Sequence, residues 1–324
     1  MTPEFDLLVL GDANPDLVLR GGDVVPAFGQ AERIVDAAQL VMGGSGGILA
    51  CGAARLGLRV AIAAVVGDDL FGRFVREELE GRGVDTRALV VDPDEPTGVT
   101  VVLSAPDDRA MLTMTGTIAD LRASLVPGEL LASARHVHVS SFFLQRALAP
   151  DLPDLLDDAH RAGATTSLDP NWDPSGEWDG GLLALLPQVD VFMPNAMEAM
   201  RLARISDLHE AVARLRQAPM VVVKLGADGA MALRAGEVVS APGMRGDVVD
   251  TTGAGDSFDA GFLAGFLGGE ALDRCLMIGN ACGAASTRAA GGTAGQATMA
   301  EALEAIARAE AAQKASLQAG GAPT

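Results

Sequence analysis

Residues 60–82 read VAIAAVVGDDLFGRFVREELEGR. Val60–Val66 is an apolar run without a charge, as in a strand buried on both faces. Gly67-Asp68-Asp69 stops it, and Phe71–Arg82 then carries apolar side chains at helical spacing until Gly83. A doubly buried strand followed at once by a helix is half of a parallel crossover unit. The same reading extends in both directions. Upstream, Phe5–Leu10 (FDLLVL) is a second buried strand ending at Gly11-Asp12, and the small, apolar Gly46–Leu56 suits a tightly packed helix. Downstream, strands are expected near His136–Val139, Thr165–Leu168, Val189–Met193 and Met220–Leu225. Helices are expected over Pro150–Arg161, Ala196–Ala203, Leu208–Gln217, Ser257–Leu267, Asp273–Arg288 and Thr298–Ala312. This alternation predicts an α/β fold of three layers, α/β/α and Rossmann-like, around a mostly parallel central sheet.

Two stretches break the rhythm. Residues 17–42 and 97–117 carry strand patterns (DLVLR, GVTVVLS, RAMLTM) with no helix between them. They predict short antiparallel ribbons that join into one small sheet, placed as a lid beside the α/β crevice. The domain is expected to span 1–312 with these lid segments inserted, and 313–324 to be a frayed tail.

Composition narrows the function. The 324 residues carry 24 Lys+Arg against 43 Asp+Glu, a net charge of −19. Such a surface repels phosphodiester backbones and anionic lipid, so neither nucleic acid nor a membrane is expected as partner. Hydrophobic residues make up 49% of the chain, enough for a sizeable core, which excludes a disordered chain. Cys51, Cys275 and Cys282 are odd in number and lack CxxC spacing, against a disulfide framework or Cys-rich metal site. The acidic Met1–Leu10 does not read as a signal peptide and no apolar run is long enough to span a bilayer, so a cytoplasmic protein is expected.

The segment richest in chemistry is Asp250-Thr251-Thr252-Gly253-Ala254-Gly255-Asp256-Ser257-Phe258. Small residues at 253–255 before a helix let successive N–H groups converge at its positive end, a ready anion site. Asp256 beside a bound anion is costly as mere structure but makes sense as the base for a hydroxyl attacking a phosphate. The alternative is a glycine turn with Asp256 as helix N-cap. No GxxxxGK[ST] is present, which excludes a P-loop. Gly44-Ser45-Gly46-Gly47 lacks dinucleotide-binding spacing.

Asn14 and Asp16 in Gly11-Asp12-Ala13-Asn14-Pro15-Asp16 suit vicinal hydroxyls, or alternatively an Asx-turn. Gly43-Gly44-Ser45-Gly46-Gly47 allows close backbone approach to a ligand, or close helix packing. In Asn195-Ala196-Met197-Glu198, Glu198 either supports Mg²⁺ through water or closes a helix cap. Lys224-Leu225-Gly226-Ala227-Asp228-Gly229 is a strand and tight turn. His136 and His138 share one strand face, and with no third ligand near they read as structural.

In this order, these segments resemble the PfkB, or ribokinase-like, family of carbohydrate kinases from Gly11 to about Gly292. DTTGAGDSF at 250–258 is the most specific element, with NxxE at 195–198 and KLGADG at 224–229 in support. The resemblance implies an ATP-dependent sugar kinase phosphorylating a hydroxymethyl group. Asp256 is then the base, and the N–H groups of Gly253, Ala254 and Gly255 form the anion hole. Asn14, Asp16, Gly43, Gly44 and Ser45 contact the sugar. Asn195, Lys224, Gly226, Asp228, Gly229 and Asn280 line the nucleotide pocket together with Gly253 and Gly255. Glu198 supports Mg²⁺, and some members bind a monovalent cation such as K⁺ at the positions of Asp250 and Thr252, with carbonyls from Thr287–Gly292. That loop, TRAAGG, is one small residue off the usual length. A homodimer through the lid follows by the same analogy.

Two departures concern the acceptor. Ile48 stands where members often have Asn, and Ser140-Ser141-Phe142-Phe143 stands where ribokinases place a sugar-contacting Glu. Ile48 predicts an acceptor without a hydroxyl at that point, and free ribose as a poor substrate. A phosphosugar kinase would need Arg20 or Arg109 near the acceptor. A nucleoside kinase would need a stacking ring, for which Phe28, Phe142 and Phe143 are available. A ligand-binding sensor without turnover is the reading from another class.

Overall fold

The computed structural model describes residues 3–320 apart from 23, 106–108 and 245. Thirteen strands follow in chain order: β1 Leu7–Leu10, β2 Asn14–Arg20, β3 Ala37–Gly43, β4 Val60–Gly67, β5 Asp85–Asp92, β6 Val99–Ser104, β7 Arg109–Met114, β8 His136–Val139, β9 Thr165–Leu168, β10 Val191–Phe192, β11 Met220–Lys224, β12 Gly229–Arg234 and β13 Glu237–Pro242. The helices that matter for the site are α1 Ser45–Arg55, α2 Leu70–Gly81, α3 Gly128–Ala132, α4 Leu152–Arg161, α5 Leu182–Leu185, α6 Ala196–Ala203, α7 Leu208–Leu215, α8 Ala254–Leu267, α9 Leu272–Ser286 and α10 Met299–Gly320.

Nine strands form one sheet in the order β13-β12-β11-β10-β9-β8-β1-β4-β5. All neighbours are parallel except β11–β12 and β12–β13. The continuous apolar runs explain why. Every residue of β1, β4 and β8 is buried, because both faces carry helices. One core lies beneath α1, α2, α8, α9 and α10, and includes Val9, Ile62, Phe262 and Ile306. The other, with Leu8, Val137, Leu156 and Phe192, lies beneath α3–α7. His136 and His138 are spent inside this frame. His136 bonds the hydroxyls of Thr165 and Ser167, and His138 bonds Ser167, each at 2.7 Å. Burial pushes both rings down, to about 3 and about 4.

The second sheet has the order β3-β2-β6-β7. The two stretches expected as ribbons join through a parallel β2–β6 pair, Asp16 opposite Thr100. Loop and helix ends account for the differences from the sequence reading. β2 begins at Asn14, so Asn14 and Asp16 lie on a lid strand rather than in an Asx-turn. α8 begins at Ala254 rather than Ser257. α10 runs to Gly320, beyond the expected end at Ala312, while 321–324 fall outside the described residues. The hairpin β12–β13 and strand β5 went unread; short strands of mixed burial give a weak periodic signal.

Chain order places the site. β1 pairs with β4 on one side and β8 on the other, so the connections leave β1 in opposite directions. The crevice outside the carboxyl ends of such strands is where ligands bind in open α/β sheets.

Candidate active site

A cleft of about 470 Å³ lies at that switch point, between the small sheet and the α/β body. It gathers residues far apart in sequence: Asn14 and Asp16 from β2, Gly44, Ser45 and Ile48 from the start of α1, and Thr252, Gly253 and Asp256 from the start of α8. Of the expected acceptor residues, Gly43 alone does not line it. Gly43 sits behind, where any Cβ would collide with the Asp16 carboxylate.

The start of α8 shows why DTTGAGD has its composition. Gly253 is the N-cap in the left-handed region, φ 71°, which glycine adopts at no steric cost. Ala254, Gly255 and Asp256 are the first three helical residues, so their N–H groups lack partners within the helix; Ala254 N turns back to Thr251 O at 3.3 Å. Asp256 is therefore not the N-cap; it stands in the first turn beside the anion hole. A Cβ on Gly253 would lie 3.0 Å from Ile48 Cγ2, and one on Gly292 would collide with Ile48 Cδ1. The glycines make room for a close approach of α1 to this loop. Ile48 is thus both cleft floor and packing residue, only 3% exposed.

Burial, the Asp169 carboxylate and the Asp12 carboxylate push Asp256 up to about 8, while Lys224 and a hydrogen bond with Ser45 oppose the shift. Asp16 is pushed up to about 7, chiefly by burial, then by Asp12 and Asp250; Arg109 and the Asn14 bond oppose it. Asn14 Nδ2 donates to Asp16 Oδ1 at 3.3 Å. Asp12 caps α1, accepting from Ser45 N (3.2 Å) and Gly46 N (3.1 Å). From the lid, Arg109 Nη1 donates to Thr251 Oγ1 at 2.7 Å, tying β7 to the anion-hole loop. Arg20 does not line the cleft; Arg146 does.

The residues expected around the nucleotide are committed elsewhere. Asn195 and Glu198 form a complete capping box on α6, with Glu198 N donating to Asn195 Oδ1 (2.9 Å) and Asn195 N to Glu198 Oε2 (2.8 Å). Burial, then Asp169, pushes Glu198 up to about 7. Asn280 Nδ2 donates to the carbonyls of Ala241 and Pro242, pinning α9 to β13. Gly226–Asp228 is a 3₁₀ turn into β12, with Gly229 at φ 102°. Lys224 Nζ donates to Asp169 Oδ2 (2.7 Å) and Asp259 Oδ2 (3.0 Å).

Of the residues expected at the two cation sites, Asp250 and Thr252 adjoin, with Thr252 N donating to Asp250 Oδ1. Among the described residues no cluster of three or more His, Cys, Asp or Glu could hold a metal ion. Both oxygens of Asp250 accept backbone N–H groups, from Thr252 and from Gly291 at 2.9 Å each. This carboxylate staples the TRAAGG loop to the anion hole. Glu198 alone, with one oxygen committed, fits a supporting role toward a cation carried by nucleotide phosphates.

Sequence reasoning missed Asp12, Thr100, Met111, Arg146, Asn171 and Trp172 as cleft residues. Asn171 had a signal: Asp169-Pro170-Asn171 ends a buried strand, as Gly11-Asp12 does. Asn171 adopts φ 55° and its Nδ2 donates to Ser45 Oγ (2.9 Å) and Ser141 Oγ (3.2 Å). None of the three phenylalanines named for stacking lines the cleft. Phe28 is fully solvated and Phe142 is buried, whereas Trp172 lines it at 51% exposure.

Comparison with known proteins agrees with this geometry. The sequence model of the pfkB family of carbohydrate kinases matches residues 5–299. The 2-dehydro-3-deoxygluconokinase of Bacillus subtilis is 32% identical over 260 residues, covering 75% of this chain and 79% of that protein. The ATP-dependent ribose-1-phosphate kinase of Halopiger xanaduensis is 32% identical over 279 residues, 86% of this chain and 90% of the relative. Among solved structures, an E. coli protein described as a ribokinase II, in complex with ATP and Mg²⁺, superposes with a TM-score of 0.84 at 25% identity. It covers 94% of this chain and 99% of its own.

Proposed function

Because the chain belongs to the pfkB family of carbohydrate kinases, and so transfers a phosphoryl group to an alcohol of a carbohydrate, we propose that Asp256 is its base and that its acceptor is an anionic deoxy sugar. The cleft carries this reading. It sets a half-buried carboxyl in the first turn of α8, where Gly255 and Asp256 have no intrahelical acceptor for their N–H groups, together with Asn14 and Asp16. Asn14 and Asp16 hold vicinal hydroxyls and orient the acceptor. Asp256, once ionised, takes the proton of the attacking hydroxymethyl group. The N–H groups of Gly253, Ala254 and Gly255 receive the charge of the transferred phosphoryl. ATP supplies that group. Mg²⁺ neutralises phosphate charge, and Glu198 would support it through water. Asp250 and Thr252 keep a K⁺ role only as a proposal, since the carboxylate is already satisfied by N–H donors.

Two features favour the acceptor class. Arg146 lines the cleft and makes no ion pair among the described residues. Ile48 offers the floor an apolar surface, which suits a deoxy carbon. The two named relatives act on a sugar acid and a sugar phosphate, both anionic. ADP release should be measured with Mg²⁺, ATP and a panel of 2-dehydro-3-deoxygluconate, ribose-1-phosphate, fructose, ribose and adenosine. An anionic sugar is expected to lead by about 10-fold or more in kcat/KM. A lead for adenosine would shift the assignment to a nucleoside kinase, with Trp172 as stacking platform.

A cytoplasmic location is part of the proposal, consistent with three buried, free cysteines. No helix among the described residues is long and apolar enough to cross a membrane. A homodimer is proposed through the lid. Leu17, Leu19, Leu40, Val101, Leu103 and Leu112 share its outer face by register, opposite the face of Asp16 and Thr100. Light scattering at micromolar concentration should return twice the chain mass; a monomer mass rejects the dimer.

A further inference from the structure

One charged group lies beneath the anion hole and has no part in the chemistry above. Lys224 ends β11, Asp169 follows β9, and Asp259 stands one helical turn after Asp256 on α8. Their side chains are 10%, 8% and 0% exposed, and the ammonium bridges the two carboxyls at 2.7 and 3.0 Å. The Lys224 Nζ also lies 3.7 Å from the place a Cβ on Gly255, the last residue of the anion hole, would take.

Such a cluster is expensive. Burying three ionisable groups costs more than burying apolar residues of equal volume, so it is weak evidence of a stability role. The protons distribute unequally. Burial drives Asp259 well above the carboxylate range, while the Lys224 charge holds Asp169 below it. The Asp169 carboxylate, foremost among the neighbouring carboxyls, keeps the Lys224 ammonium charged although it is buried. The cluster therefore pairs the Lys224 ammonium with the Asp169 carboxylate at 2.7 Å, while burial disfavours the charged form of Asp259. Asp259 Oδ1 is buried and has no hydrogen-bond partner among the described residues.

We infer that the Asp169–Lys224–Asp259 triad is a positioning device that sets the pH at which Asp256 becomes a base, and lends positive potential to the anion hole from behind. This rests on the assignment of Asp256 above. Around Asp256 stand Asp12 from the end of β1, Asp16 and Arg109 from the lid and Arg146 along the same cleft, Asp169 after β9 and Lys224 from β11, and Asp250 and Asp259 flanking it in sequence. Asp169 and Lys224 are the two of these that act most strongly on Asp256, in opposite senses: Asp169 raises it and Lys224 lowers it. A base works when ionised, so the acid limb of kcat/KM follows the carboxyl of the free enzyme.

The test is the titration of Asp256 itself, by carbon-13 NMR of the full chain labelled at aspartate, with the resonance assigned by its loss in Asp256→Asn. Lys224→Met should move it up by about one unit or more, and the isosteric Asp169→Asn should move it down by a similar amount. The acid limb of kcat/KM, measured with whichever acceptor the panel identifies, should move with it. Opposite shifts support the inference. A folded Asp169→Asn whose Asp256 titration stays within about 0.3 unit of wild type overturns it, whatever its melting temperature, and decides alone if Lys224→Met fails to fold. The NMR titration needs no acceptor, so a chain that turns over nothing would count against the role of Asp256 as base and leave the measured coupling of the triad to Asp256 intact.

Discussion

The ends proposed for the acceptor and for the nucleotide were both marked by motifs, yet they are built differently. At the acceptor end, Asn14, Asp16, Ser45 and Asp256 converge on one cleft and present side-chain atoms to it. At the nucleotide end, Asn195, Glu198, Lys224 and Asn280 are turned inward, each occupied in a cap, an ion pair or a bond to backbone carbonyls. The difference is physical. A sugar is recognised by hydroxyl geometry, which needs side chains of defined donor and acceptor type. Phosphates can be held by backbone N–H groups and a helix dipole, so side chains there serve to hold the backbone in shape. A motif residue can thus belong to a binding region without touching the ligand.

The largest expected effect breaks the acceptor end. Asp256→Asn keeps the volume and the first turn of α8 but removes the base. We expect kcat to fall by at least about 10²-fold while ATP affinity, read by calorimetry, stays within about twofold. Retained turnover would remove Asp256 from the reaction. A matching loss of ATP affinity would mean that the two ends are not separable at this residue.

Legibility in the sequence followed the same divide. The sheet was readable because β1 and β4 are short apolar runs stopped by Gly and Asp, and the expected bounds of β1, β4, β8 and β9 agree with the structure to within a few residues. The start of α8 was misplaced by three residues because Ala254 and Gly255 are poor markers of a helix start; the φ of 71° at Gly253 marks it, and sequence does not show φ. Asp12 and Asn171 were missed because their role comes from long-range pairing, with α1 in one case and with Ser45 and Ser141 in the other. The Lys224 pairing joins residues 55 and 35 positions away, beyond any local pattern.

Glu198 tests the nucleotide end, where capping and cation support compete for one carboxylate. Gln caps a helix at this position as Glu does, so Glu198→Gln should leave the melting temperature within about 1 °C. It removes the charge that a hard cation would feel through water. The Mg²⁺ concentration at half-maximal rate should then rise by about two- to fivefold. An unchanged Mg²⁺ curve with an unchanged melting temperature would leave Glu198 as a helix cap alone, and the nucleotide end would contain no working acidic side chain from its motif.

The smallest effect is expected at Ile48, which belongs to both packing and cleft. Its Cγ2 and Cδ1 fill the space that the missing Cβ atoms of Gly253 and Gly292 leave open. Ile48→Val deletes Cδ1, the atom against Gly292, and leaves Cγ2 against Gly253. Deleting one buried methyl group costs about 0.5–1.5 kcal/mol, or a fall in melting temperature of about 1–4 °C for a chain of this size. The backbone of α1 is held independently, because Gln296 Nε2 donates to Ile48 O at 2.8 Å. The anion hole should therefore keep its geometry, with kcat for the preferred acceptor changed by less than about twofold. What should change is discrimination: a slightly larger floor admits a hydroxyl, and the preference for a deoxy acceptor over its hydroxylated counterpart should narrow by about two- to threefold. A melting-temperature drop without any change in that ratio would place Ile48 wholly in the packing of α1 against the Gly292 loop, and acceptor choice would then rest on Asn14, Asp16 and the arginines.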